Sequence, residues 1–165
     1  MTMLDLLSKE EWAELENELN ERTGLDVNAY DAQGFTFTGL KQWANRLCPR
    51  IKEIPSALQS VCSVAHQNLA SLARQTGQPV VEECDAGLMK ICVPVFAGGQ
   101  FVGALGACGH LLEDGEMDAF LIHKLTGIPE AEVEKLAEDL PVISRARAEE
   151  LSTEMEARIK GLTAT

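Results

Sequence analysis

Gly98-Gly99 separates the run Lys90 to Phe96 from the run Gln100 to Cys108, and both runs are dominated by residues that suit strands. Two adjacent residues free to take positive φ, placed between strand-like runs, predict a tight antiparallel hairpin. A third run, Pro79 to Cys84, precedes it. Alternation then assigns faces: Ile91, Val93 and Val95 lie on one side, and Cys92 sits with Pro94 and Phe96 on the other, where it reads as packing. In the partner strand Val102, Ala104, Gly106 and Cys108 share a face, and Gly103, Gly106 and Gly109 admit close approach of backbone or ligand.

Upstream, Ser8-Lys9-Glu10-Glu11 has the pattern of a capping box, and Trp12, Leu15 and Leu19 follow at helical spacing. The spacing predicts a helix over Ser8 to Thr23, stopped by Gly24. Leu25, Val27 and Ala29 alternate with Asp26, Asn28 and Tyr30, so a strand should follow, then a turn at Asp31 to Gly34 and a second strand over Phe35 to Thr38. A short helical piece is expected over Leu40 to Leu47, and the longest helix over Ser56 to Thr76. Helices are expected again over Met117 to Leu125, from Pro129, and over Pro141 to Leu162. The last carries a thin stripe of Ile143, Ala146, Leu151, Met155 and Ile159, which reads as a homodimer seam or connector ahead of a core helix.

The resulting class is α+β: a five-stranded antiparallel sheet with flanking helices and a C-terminal helix, in the element order of PAS and GAF sensor folds. Residues 1–140 are expected to form the sensory domain and 141–165 a connector or dimerisation helix. With 165 residues, one core is the natural size. The formal net charge of −12 sets the average field against a phosphate backbone, which argues against nucleic acid as a partner. No apolar run reaches the roughly 20 residues of a membrane span, and the N-terminus lacks a signal-like segment, so a cytoplasmic location is expected.

Five cysteines, Cys48, Cys62, Cys84, Cys92 and Cys108, are an odd number for a disulfide framework and leave buried thiols, a metal site or redox chemistry. Cys62 and His66 stand at i and i+4 on a helix, within reach of a single ion, and Cys108-Gly109-His110 is a second thiol and imidazole pair. Four dispersed thiols, Cys48, Cys62, Cys84 and Cys108, are candidates to hold zinc or an iron–sulfur cluster, with His66 and His110 as alternates, although paired CxxC knuckles are missing. The competing reading makes the same thiols core or pocket wall. No nucleophile elbow, HExxH helix, phosphate loop or dinucleotide fingerprint is present, so an enzyme is not expected, a thiol-dependent one remaining the least favoured reading.

Leu47-Cys48, Val61-Cys62, Glu83-Cys84-Asp85-Ala86-Gly87-Leu88 and Val93-Pro94-Val95, followed by Gly99 and Gly103, resemble the PocR-type sensory domain over about Leu6 to Leu136. The resemblance implies a PAS-like sensor of small molecules, with recurring cysteines at Cys48, Cys62 and Cys84, attached to a downstream signalling protein. Cys108-Gly109-His110 departs from the family pattern and adds a fourth thiol. The chain is therefore expected to bind a small-molecule ligand or a cysteine-held metal centre and to report its state through helices.

Overall fold

The computed structural model describes residues 1–164. After α1 (Met3–Leu6), Ser8 caps α2 (Lys9–Thr23): its Oγ accepts from Glu11 N–H at 3.2 Å, and its own N–H donates to the Glu11 carboxylate at 2.8 Å. Gly24, at φ 75°, closes α2 and turns the chain into β1 (Asp26–Asp31). The helices α3 (Leu47–Lys52) and α4 (Pro55–Ala57), a π-helical segment Leu58–Ser63 and α5 (Val64–Thr76) follow. Then come β2 (Val80–Glu83), β3 (Leu88–Ala97), β4 (Gln100–Leu112), α6 (Ala119–Thr126), α7 (Glu130–Leu136), β5 (Val142–Ile143) and α8 (Arg145–Thr163).

The sheet order is β1-β4-β3-β2, all antiparallel, and β5 lies parallel to β4 at Leu111 and Leu112. Gly98 and Gly99 both have positive φ and close the β3–β4 hairpin at the Ala97 and Gln100 pair, as the twist of the flanking strands requires. The sheet has the expected five strands, but not the expected five runs. Phe35 to Thr38 contributes only a bridge from Thr36 to Tyr30. Asp31 Oδ1 accepts from Gln33 and Phe35 N–H and holds a turn, while the Thr38 hydroxyl donates to Glu16, so the segment is drawn off the ladder. Its place is taken by Val142–Ile143, because Ser144, and not Pro141, caps the last helix.

Two further expectations change locally. Leu40 to Leu47 is not helical; α3 starts at Leu47, with Pro49 in its first turn, where a missing N–H costs no helical hydrogen bond. The long helix over Ser56 to Thr76 is real, but its first half widens into the π-helical Leu58–Ser63, which carries Cys62.

The two sheet faces are covered differently. Met89, Ile91, Val93 and Val95 of β3, Leu105 and Ala107 of β4 and Val27 and Ala29 of β1 pack with Trp12, Leu15 and Leu19 of α2. Ile143, Leu151, Met155 and Ile159 of the stripe read as a dimer seam belong to the same cluster, joined by Ala148, while Ala146 is exposed. All but one residue of the stripe is thus buried within the chain, and 141–165 adds to the core of 1–140. On the opposite face α5 covers only part of the sheet, where Leu69 and Ala73 meet Val80, Cys92 and Ala104. A separate cluster beyond it joins Leu47, Ile51, Ala57 and Val61 to Leu88, Ile122, Ile128 and Val133.

Glu16 ties the edge strand β1 to α2. Fully buried, its carboxylate accepts from the Ala29 N–H at 2.7 Å and from the Thr38 hydroxyl at 2.6 Å. Burial raises its pKa, opposed by those two hydrogen bonds. Glu16→Ala leaves the Ala29 N–H without an acceptor and should destabilise the fold by about 1–3 kcal/mol. Urea unfolding should show a lower midpoint at unchanged slope.

Candidate functional site

Register places the functional face. Asp26, Asn28 and Tyr30 of β1 oppose Cys108, Gly106 and Ala104 of β4, and Lys90 and Cys92 of β3 oppose Cys108 and Gly106 from the other side. These residues share one face of the sheet by alternation. Where α5 and its apolar cluster end, that face opens into a cavity of about 330 Å³, within the size range of small-molecule sites.

Cys48 of α3, Cys62 of the π-helical segment, Cys84 after β2 and Cys108 of β4 all line this cavity, together with His66 of α5. Cys92 does not; it is fully buried beneath α5. His110 is also elsewhere, its Nε2–H donating to the Gly24 carbonyl at 3.2 Å. Burial lowers the His110 pKa, and that hydrogen bond opposes the shift.

Convergence on one cavity is not convergence on one ion. All five cysteines are free thiols, and among the described residues no three His, Cys, Asp or Glu side chains stand close enough to share a metal. The four thiols as arranged therefore do not fit zinc or an iron–sulfur cluster, both of which need ligands around a common centre. Burial also keeps Cys48, Cys62 and Cys108 protonated. It pushes Cys48 up to about 12, with Cys108 adding to the effect and a hydrogen bond from Asn45 opposing it. Cys62 and Cys108 are raised by burial as well. A nucleophilic thiolate needs the reverse environment.

Asn45 organises the mouth near Cys48. Its Oδ1 accepts the Cys48 N–H at 2.7 Å, and its Nδ2 donates to the Gly109 carbonyl at 2.6 Å. Gly109 has φ 108°, and a Cβ there would stand 2.5 Å from the Ala44 Cβ, so only glycine lets this loop close on β4.

The groups that sequence reasoning missed are lysines. Lys41, Lys52 and Lys90 line the cavity, and no aspartate or glutamate does. Lys52 Nζ is 3.5 Å from Asp26 Oδ2, whose Oδ1 accepts from Asn28 Nδ2 at 3.0 Å. Burial works against the Lys52 charge, but Cys108 and Asp26, the strongest of its acidic neighbours, hold its pKa above the ordinary value. Lys90 is 5% exposed, and among the described residues it has neither a carboxylate nor a hydrogen-bond partner; its Nζ lies 5.7 Å from the Tyr30 ring centroid. Burial opposes its charge too, while Tyr30 and Cys108, acting in their ionised forms, favour it and together raise its pKa. The sequence signal was present: Lys90 shares its face with Cys92 in an otherwise apolar strand.

His66 stacks on Tyr30 with ring centroids 3.6 Å apart and planes at 17°. The residue is 3% exposed, and both ring nitrogens are buried without a partner. Burial first, and the Lys90 charge second, push its pKa down to about 3. Above pH 6.5 the imidazole is neutral in folded and unfolded chains alike; as pH falls from 6.5 toward 3 only the unfolded chain takes the proton, and stability is lost. His66→Phe keeps an aromatic face on Tyr30 and should remove a slope of up to about 1.4 kcal/mol per pH unit in this window. Urea unfolding of both proteins between about pH 6.5 and pH 5, above the main carboxylate range, checks this, since His110 contributes equally to each.

Among the described residues no helix is long and apolar enough to cross a membrane. No curated protein and no solved structure matches the chain. The family model for the sensory domain found in PocR matches residues 5–157, from α1 well into α8 and so past the boundary expected at 140. The chain belongs to the PocR sensory-domain family.

Proposed function

We propose that this domain senses a small organic molecule held in the cavity between the sheet and the segment from α3 to α5, and that occupancy is reported through that helical wall. The observation that carries the reading is the cavity itself: about 330 Å³, with Tyr30, Phe35, Leu58 and Leu88 beside a few polar groups. Few convergent polar groups in an otherwise apolar cleft are the usual makeup of a ligand site. The family membership supports a sensory role and a non-enzymatic one. In this reading the four thiols are polarisable wall, and no catalytic step is assigned to them.

The reporting element is the π-helical Leu58–Ser63. It supplies Leu58, Cys62 and Ser63 to the cavity and leads directly into α5, which packs on β3. π-helical turns occur mostly as single insertions within α-helices, frequently at functional sites. A ligand that contacts one arrangement of this segment better than another shifts its population by that difference in affinity. In this reading the domain works in the cytoplasm and hands its signal to a separate signalling protein, and a homodimer would require a surface other than the largely buried stripe of α8.

Titration of ¹⁵N-labelled protein with butyramide, benzamide, butyrate and benzoate should perturb amides around the cavity, with the Leu58–Ser63 segment among them. Cys108→Phe fills the cavity from the sheet and should weaken binding at least roughly tenfold, a difference of about 1.4 kcal/mol. Perturbations scattered over the surface, or binding indifferent to Cys108→Phe in a variant that melts cooperatively, would remove the reading. Iron, zinc and acid-labile sulfide measured on anaerobically purified protein test the metal-centre alternative. Metal lost on replacing Cys48, Cys62, Cys84 or Cys108 by serine, and retained in Cys92→Ser, would restore it.

A further inference from the structure

We infer that the ligand is a monocarboxylate and that Lys90 is the residue that recognises its anionic end. The inference rests on the small-molecule reading above and narrows it to a chemical class. The chain carries a net charge of −12, yet three of its 14 basic residues line this one cavity and none of its 26 acidic residues does. Lys52 is matched by Asp26 from just outside the lining. Lys90 is not matched at all: it is 5% exposed, in the middle of the sheet, with no carboxylate or hydrogen-bond partner among the described residues.

A buried ammonium without a partner is costly, and buried charges in folded proteins are paired or ligand-bound. Around Lys90 the wall offers no permanent anion, since Cys48, Cys62 and Cys108 are held as neutral thiols. The missing partner therefore comes from the ligand. A single ammonium lining the cavity suits a carboxylate, whereas a phosphate dianion is held by several converging donors. The remaining lining, Tyr30, Phe35, Leu58 and Leu88, fits an apolar body attached to that one charge. A charge-assisted contact with Lys90, 5% exposed, discriminates between an acid and its neutral amide of nearly equal shape.

The test compares shape-matched pairs by calorimetry on the full chain at neutral pH: butyrate against butyramide, and benzoate against benzamide, with inorganic phosphate as a third probe. The acids are expected to bind at least roughly tenfold tighter than the amides. Lys90→Met should abolish that preference. The wild-type comparison stands even if the variant folds poorly, because acid and amide are measured on the same protein. Amides that bind in the cavity as well as the acids, an acid preference that survives Lys90→Met, or phosphate binding tighter than either acid would each overturn the inference and leave the small-molecule reading standing. No cavity binding by any of these probes would overturn both.

Discussion

The burial of Lys90 constrains the rest of this structure more than any other single residue. β3 must alternate, so a strand that sends Met89, Ile91 and Val93 into the main core must send Lys90 and Cys92 to the opposite face. Cys92 is easily covered by α5. Lys90 is not, because its ammonium accepts no apolar lid without losing its hydration. Its cross-strand neighbours are equally poor partners for a helix: Cys108 lies opposite, and Asp26, Asn28 and Tyr30 occupy the same face of β1. The apolar cluster under α5 therefore ends at Cys92 and Ala104, and the cluster around Leu88 and Ile122 begins on the far side. The cavity is the interval between them.

That division gives the domain a firm side and an adaptable one. On the firm side α2 and α8 close a continuous core over the whole sheet, and the exposed edge of β1 is satisfied by the buried Glu16 carboxylate. Edge strands left open invite pairing with other chains, so this one side-chain contact also protects the fold. On the other side the wall is built from the short helices α3 and α4 and a π-helical segment, which bury Leu47, Ile51, Ala57 and Val61 in a cluster separate from the main core. Phe35, at 69% exposure, and Leu58 stand at the mouth. A wall whose apolar cluster is separate from the main core can move apart from that core, which is the property a ligand-responsive wall needs.

Much of this was readable from the sequence because it depends on local chemistry. The Gly98-Gly99 turn, the Ser8 capping box, the alternation of Asp26, Asn28 and Tyr30, and the packing role of Cys92 each follow from spacing and side-chain type. Non-local pairing was not readable. Val142–Ile143 becomes a strand only because β4 runs on past the end of β1 and leaves Leu111 and Leu112 free to pair. Phe35 to Thr38 loses its strand because a buried carboxylate from α2 competes for Thr38. The stripe of α8 is thin in sequence, yet a thin stripe suffices when a flat sheet receives it. The cysteines show a limit of scale: sequence order can bring four thiols to one cavity, but sharing an ion demands a precision that only side-chain geometry decides.

Lys90 was missed for a different reason. A lone lysine at the start of a strand-like run reads as a solvated end, and only the observed start of β3 at Leu88 moves it inward. Its consequence reaches across the cavity to His66, whose imidazole is kept neutral partly by that ammonium and whose nitrogens have no partner. Among the described residues Lys90 has no ion pair and the His66 ring nitrogens have no hydrogen-bond partner, and both side chains line the same cavity. A ligand that neutralises Lys90 would also lift part of the electrostatic pressure on His66, and the ring is stacked on Tyr30 of β1 while belonging to α5. In the proposed reading, occupancy is coupled to the contact between the sheet and the helix that follows the π-helical wall. No long-range path is needed, since the charge, the ring and the helix are in one place.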